Sequence, residues 1–315
     1  MARYVLALTA LGSGSLAGQG AVLSGRVVYA RGRSVAVVGG RAVLHEVSMT
    51  RQAAIDSTRT DAAGRYRFRL ANPDTGALYL VSSMRDGIVY FTQPLRAAPG
   101  HTVAVDSLLV YDTSSTGSPI RVERLLVTIA KARSDGSRDV LHVLELRNPD
   151  LTTRIAPDTV RPTWRGLLPS GVLQFQVGES DFSPQAVSRR GDSVLVFGPV
   201  QPGVARQLTF TYTIPADRRE VVLPVDQAVG QAHVLFEDTA ATLDASRPMT
   251  RSPELVDGRP FARYSSAALP AGTSLVVHLP SDRAAPERFV PWLVGGMIAA
   301  LLLGLTVALR RRSPA

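Results

Sequence analysis

Asp61-Ala62-Ala63-Gly64-Arg65-Tyr66-Arg67-Phe68-Arg69-Leu70 is the stretch whose reading decides the fold. Successive side chains of a β-strand point to opposite faces. Period two therefore puts Tyr66, Phe68 and Leu70 on one face and Arg65, Arg67 and Arg69 on the other, whereas 3.6 residues per turn would mix the two sets. The four residues before Arg65 read as a turn. Asp61 can accept hydrogen bonds from the backbone that follows it, and Gly64 supplies a positive φ without steric cost. The segment is a half-buried strand entered by a tight turn.

Working outward, residues 18–288 contain no helical periodicity longer than two turns. Short alternating or apolar runs bounded by Gly, Pro, Asp and Ser recur instead, which is the pattern of an all-β chain. A hairpin is expected with strands at 122–130 and 140–146 around Ser134-Asp135-Gly136-Ser137. Further strands are expected at 172–177, 193–197, 207–214, 220–224, 233–236 and 274–279, and Trp164 is expected as core or sheet-edge packing. The polar run Asp112-Thr113-Ser114-Ser115-Thr116-Gly117-Ser118-Pro119 has no apolar side chain to bury and reads as a linker. The expected architecture is thus two β-sandwich domains in tandem, 18–111 and 120–288, joined by 112–119 and followed by one C-terminal transmembrane helix.

The ends carry the targeting signals. Residues 1–17 have a short n-region with Arg3, an apolar run from Val5 to Leu11, and Ser15-Leu16-Ala17 as a small-x-small cleavage site, the pattern of a secretory signal peptide. Residues 289–309 are uncharged, and at about 1.5 Å per residue they reach roughly 31 Å as a helix, the thickness of the hydrocarbon core. Phe289 and Trp292 stand where an interfacial aromatic belt belongs, and Arg310, Arg311 and Arg312 follow at the other side. The positive-inside rule puts the tail, 310–315, in the cytoplasm. The expected topology is single-pass type I in a bacterial cytoplasmic membrane, with the ectodomain periplasmic or extracellular. The region before the helix also resembles bacterial sorting signals that begin Pro-Glu-Pro, but Pro286-Glu287 is followed here by Arg288, which favours a retained anchor.

The 315 residues are 45% hydrophobic and 19% charged, enough apolar material for packed cores. The absence of cysteine removes disulfides and thiolate metal sites. A formal charge of +9 would suggest nucleic acid if it were concentrated, but Arg3 and the three terminal arginines lie in the end segments. Without those four, the 35 basic residues fall to 31 against 26 acids, an ordinary surface. Nucleic acid is not an expected partner.

The run Ser24-Gly25-Arg26-Val27-Val28-Tyr29, the apolar strand Ala42-Val43-Leu44, and Thr60-Asp61-Ala62-Ala63-Gly64-Arg65-Tyr66-Arg67-Phe68 together resemble the carboxypeptidase regulatory-like domain over about residues 21–110. The last of these carries the pattern T-D-x-x-G-x-Y-x-F. This sequence departs from the family where a Gly-x-Tyr is usual, having Gly76-Ala77-Leu78-Tyr79, and the loop before Arg41 is Gly-rich. The resemblance implies a seven-stranded transthyretin-like sandwich without catalytic residues, an accessory for structure or binding. The internal Lys–Asn or Lys–Asp crosslink of related surface modules is impossible in residues 18–116, which contain no lysine; Lys131 is the only one in the chain.

Motifs for chemistry are missing. His45, His101, His142, His233 and His278 each stand alone, with no pair one helical turn apart, and there is no phosphate loop or Gly-x-Ser-x-Gly elbow. No cofactor or metal is expected. Asp135-Gly136-Ser137-Arg138-Asp139 places a cation where a calcium ligand is wanted and reads as a turn. The candidate binding residues are Arg65, Arg67 and Arg69, spaced about 6.6–7 Å apart on one strand face and able to meet an anionic polymer together. The expected function is non-enzymatic: a membrane-anchored envelope protein presenting two modules to an envelope protein or anionic polymer. The alternatives are an exported hydrolase with a site dispersed over the second domain, and a polysaccharide-binding module with a groove lined by Tyr79, Tyr90 or Phe91.

Overall fold

Strands with one apolar face can bury it only against another layer. The computed structural model, which describes residues 20–30 and 34–280, solves this separately in two compact units divided after Asp112. Among the described residues the regular structure is all β apart from one 3-10 turn, Pro184–Ala186.

Unit one contains β1 (Ala21–Ala30), β2 (Ser34–Ala36), β3 (Arg41–Val47), β4 (Gln52–Arg59), β5 (Arg65–Leu70), β6 (Leu78–Arg85), β7 (Ile88–Phe91), β8 (Thr102–Ala104) and β9 (Leu108–Val110). In one sheet β1 is the hub, antiparallel to β2 and β5 and parallel to β8 and β9. The other sheet runs β4-β3-β6-β7. Leu23, Val27, Tyr66 and Phe68 from the first sheet share one core with Leu44, Tyr79, Val81 and Tyr90 from the second. Two of the three core tyrosines keep their polar tips bonded: the Tyr79 hydroxyl accepts from the Asp74 N–H at 2.8 Å, and that of Tyr90 donates to the Tyr111 carbonyl at 3.1 Å, whereas the buried Tyr66 hydroxyl has no hydrogen-bond partner among the described residues.

The deciding stretch forms as its residue types require. Asp61 Oδ1 accepts from the N–H groups of Ala63 and Arg65, both at 2.8 Å, and Gly64 has φ +74°. A Cβ on Gly64 would stand 2.6 Å from the Val27 carbonyl oxygen, so the turn needs glycine for space as well as for φ. Phe68 is then 1% exposed on the inner face, while Arg65, Arg67 and Arg69 are exposed on the outer one.

Unit two contains β10 (Thr113–Ser114), β11 (Arg121–Ile129), β12 (Arg138–Arg147), β13 (Thr153–Arg154), β14 (Trp164–Leu167), β15 (Leu173–Val177), β16 (Val187–Arg190), β17 (Ser193–Val196), β18 (Arg206–Ile214), β19 (Glu220–Val225), β20 (Val229–Phe236), β21 (Thr242–Ala245), β22 (Thr250–Val256), β23 (Arg259–Ser266) and β24 (Thr273–His278). Seven of these form one sheet in the order β15-β18-β12-β11-β20-β23-β22, in which only β11 and β20 run parallel. Two three-stranded sheets, β14-β17-β16 and β19-β24-β21, bury Trp164, Val194, Val196, Leu223, Leu275 and Val277 in the same core as Leu144, Leu208, Phe210 and Val234 of the large sheet.

Every strand expected in the second half from apolar alternation has a counterpart here, but β10, β13, β14, β16, β21, β22 and β23 did not stand out in the sequence. β22 contains Pro253, which argues against a strand from sequence alone and is tolerated because β22 is a sheet edge. The 112–119 stretch is more ordered than its polar composition suggests. β10 pairs with β13, Ser118 N–H donates to Asp150 Oδ2 at 2.9 Å, and Arg154 Nη2 bonds both the Ser118 carbonyl (3.0 Å) and Asp150 (2.7 Å). Side-chain hydrogen bonds hold this segment where apolar burial cannot.

The signal peptide (1–17), the transmembrane segment (289–309) with Phe289 and Trp292, and the tail with Arg310, Arg311 and Arg312 lie outside the described residues. Among the described residues no helix is long and apolar enough to cross a membrane.

Candidate functional site

The antiparallel register of β1 and β5 builds a larger cationic face than the sequence pattern indicated. Arg26 stands directly across from Arg65, Ser24 from Arg67, and Val22 from Arg69. Four exposed arginines therefore share the outer face of one two-stranded ribbon. Arg26 Nε donates to the Ala63 carbonyl at 3.1 Å, which anchors that side chain beside the turn. Arg65, Arg67 and Arg69 make no side-chain hydrogen bond or ion pair among the described residues. Like charges directly opposite across a ladder are destabilising, a cost that the Asp61 carboxylate near both Arg26 and Arg65 offsets in part.

One acid reaches this face, the Asp61 carboxylate beside Arg65 and Arg26. Its Oδ1 is committed to the turn; the hydrogen bond from the Arg65 backbone holds its carboxyl below the ordinary carboxylate range. Elsewhere arginines on sheet faces meet acids from adjacent strands: Arg124 pairs with Glu145 at 3.1 Å and Arg263 with Glu254 at 3.0 Å. Among the described residues Arg67 and Arg69 have no such complement. Arg26 was not legible as part of it, because cross-strand register is not encoded within either strand.

The histidines are dispersed. His45 bonds Ser82 at 2.8 Å on the outer face of the second sheet of unit one, with burial pulling its pKa down. His233 accepts from Arg263, and burial followed by that charge lowers its pKa as well. His278 lies 3.0 Å from Asp244 on the surface. His142 is buried between Phe210 and Tyr212, and burial pushes its pKa down to about 3, so it is a neutral imidazole at any physiological pH. Among the described residues no group of three His, Asp or Glu is placed to hold a metal ion.

A cleft of about 40 Å³ opens where the two small sheets of unit two meet above the large one. Its floor is His142, Leu144 and Phe210, and its walls include Gly166 and Leu167 on one side and Pro224 and Val225 on the other. Trp164 lies against Gly166, where a Cβ would meet its ring at 2.4 Å. The Trp164 indole N–H donates to Gln227 Oε1 at 2.9 Å, and Gln227 Nε2 donates to the Arg165 carbonyl at 3.1 Å. The groove envisaged for a sugar ring is not formed by the tyrosines: Tyr79 and Tyr90 are 0% and 1% exposed in the core, and only Phe91 faces outward.

No protein-family model matches the chain, and no curated protein matches it in sequence. Solved structures that it resembles include the M1 zinc metallopeptidase of Deinococcus radiodurans, at 14% identity and a TM-score of 0.31 over 52% of this chain and 43% of that one. A point mutant of that enzyme gives 14% and 0.32 over 52% and 43%, and the mutant bound to a Tyr-Ser-Ala substrate gives 14% and 0.32 over 51% and 42%. The chain spans less than half the length of these peptidases.

Proposed function

We propose that this chain is an exported, membrane-anchored envelope protein whose two units are β-sandwiches standing outside the cytoplasm, and that it works by binding rather than catalysis. The observation that carries the reading is the row Arg26, Arg65, Arg67 and Arg69 on the β1–β5 face, in which Arg67 and Arg69 make no side-chain hydrogen bond or ion pair among the described residues. Guanidinium groups at strand spacing suit an extended anionic polymer with repeating charges, each able to take a bidentate pair of hydrogen bonds. The likeness of residues 21–110 to the carboxypeptidase regulatory-like domain supports an accessory role, and the apolar stretch 289–309 followed by Arg310, Arg311 and Arg312 supports the anchor.

Two measurements test the reading. A reporter active only outside the cytoplasm should work when fused at residue 280 and be silent when fused after Ala315; the reverse pattern would overturn the topology. The full chain in detergent should bind dextran sulfate but not neutral dextran. Replacing Arg65, Arg67 and Arg69 with Ser should weaken that binding at least about tenfold at low salt, where Coulomb attraction is least screened. Equal binding by the two proteins would remove the cationic face from the function.

A further inference from the structure

The two small sheets of unit two lie side by side against the large sheet without joining. Among the described residues β14 pairs only with β17, and β19 only with β24. Register fixes where their spare backbone groups point. The Leu168 N–H donates to the Asp192 carbonyl at 2.8 Å, so alternate residues, including Gly166, bond β17 and the N–H and C=O of Arg165 and Leu167 point away from it. The Leu279 N–H donates to the Arg219 carbonyl at 2.8 Å, which turns Val221 and Leu223 toward β24 and the backbone of Val222 and Pro224 away. Proline fits at 224 because no ladder N–H is needed there.

Both spare edges border the same cleft. Gln227 spans it at one end by its bonds to Arg165 and Trp164, and at the other end the Arg218 guanidinium lies against Gly171, 2.9 Å from where a Cβ would be. Between these ends the cleft is lined by Leu167 from β14 and by Pro224, which offers a carbonyl but no N–H, from β19, over His142, Leu144 and Phe210; the spare N–H of β19 is that of Val222, two residues along the same edge.

We propose that this seam accepts an extended polypeptide strand from a partner protein, pairing with β14 on one side and β19 on the other. Only a polypeptide backbone carries donors and acceptors along both of its edges at the repeat that two facing strands present; a glycan or polyanion does not. The floor takes an apolar side chain, and the size of the cleft restricts it to a small one such as Ala or Val. The Gln227 side chain, which supplies an amide to the Arg165 carbonyl in the free protein, is displaced by the backbone amide of the entering strand. This inference concerns the other unit from the cationic face, so each can fail without the other.

The test uses the full chain in detergent and a soluble synthetic peptide of alternating Val and Thr with a central Lys. In the free protein, amide hydrogens of Arg165, Leu167 and Val222 should exchange quickly and those of Gly166, Val221 and Leu223 slowly. Peptide should protect the first set. Leu167→Pro and Val222→Pro each remove a seam-facing N–H without taking a bond from the existing ladders, so both should fold and each should weaken peptide binding about tenfold, the scale of one lost hydrogen bond. Slow exchange at Arg165, Leu167 and Val222 in the free protein overturns the proposal. So does the absence of peptide binding at about 1 mM, or undiminished binding by either proline variant or by a peptide N-methylated at alternate residues.

Discussion

His142 Nε2 lies 2.9 Å from the hydroxyl of Tyr212, and the two side chains are packed together in the core of unit two. They are diagonal neighbours on β12 and β18, where His142 pairs across with Phe210 and Val140 with Tyr212. Burial holds His142 at about 3, whereas an unfolded histidine titrates near 6.5. Below that value the unfolded chain takes up a proton that the folded chain refuses. The contribution to stability is therefore full above about pH 6.5 and is lost as pH falls toward the folded value, at about 1.4 kcal/mol per unit. Between pH 7 and 4.5 this site alone should cost about 3 kcal/mol. Replacing both partners, His142→Phe with Tyr212→Phe, leaves no orphaned polar atom and should flatten this part of the acid limb. Urea unfolding at the two pH values checks it, and an unchanged difference between them would show that His142 is not the titrating group.

The two faces of β5 should respond oppositely to substitution. Phe68→Ala should destabilise unit one by about 3–5 kcal/mol, because the ring is 1% exposed and the surrounding sheets cannot close over the void. The triple Ser variant of Arg65, Arg67 and Arg69 should melt at or slightly above the wild-type temperature, since it removes the like-charge contact with Arg26. A clear drop in melting temperature would mean that the arginines hold structure.

Asp150 organises the segment after Asp112 through Ser118 and Arg154, and Arg154 is only 8% exposed. Native chain should therefore resist limited proteolysis between Thr113 and Pro119. Asp150→Ala strips the acceptor from both partners and leaves a buried guanidinium unpaired, so cleavage there should become fast. Equal cleavage rates would show that the hydrogen bonds do not order the segment.

Gly166→Ala should be costly although the residue sits in an ordinary strand. The new methyl group would collide with the Trp164 ring, which must leave its place and give up its bond to Gln227. A loss of about 1–3 kcal/mol is expected. In a Trp292→Phe background Trp164 is the sole tryptophan, so its emission should shift to the red. An unshifted spectrum would mean that the ring can be accommodated elsewhere in the core.

By itself the sequence determined the strands that alternate cleanly and the turns that need a special backbone. β5, its Asp61–Gly64 turn and the β11–β12 hairpin are legible because side-chain alternation and φ preferences act between residues a few positions apart. The expected signal peptide and membrane segment are read the same way, as local runs of hydropathy. Tertiary structure alone decided what depends on distant pairing. Period two put Arg65, Arg67 and Arg69 on one face, but only the β1–β5 register brought Arg26 to them. Tyr90 and His142 carry polar atoms that suggest a surface role, and become core because Tyr111 and Tyr212, brought near by the fold, satisfy those atoms. The 112–119 stretch has the composition of free linker and is held because Asp150 and Arg154 arrive from beyond the next hairpin. The seam between β14 and β19 belongs to neither strand's sequence, since it exists only where two sheets share a core and stop short of each other.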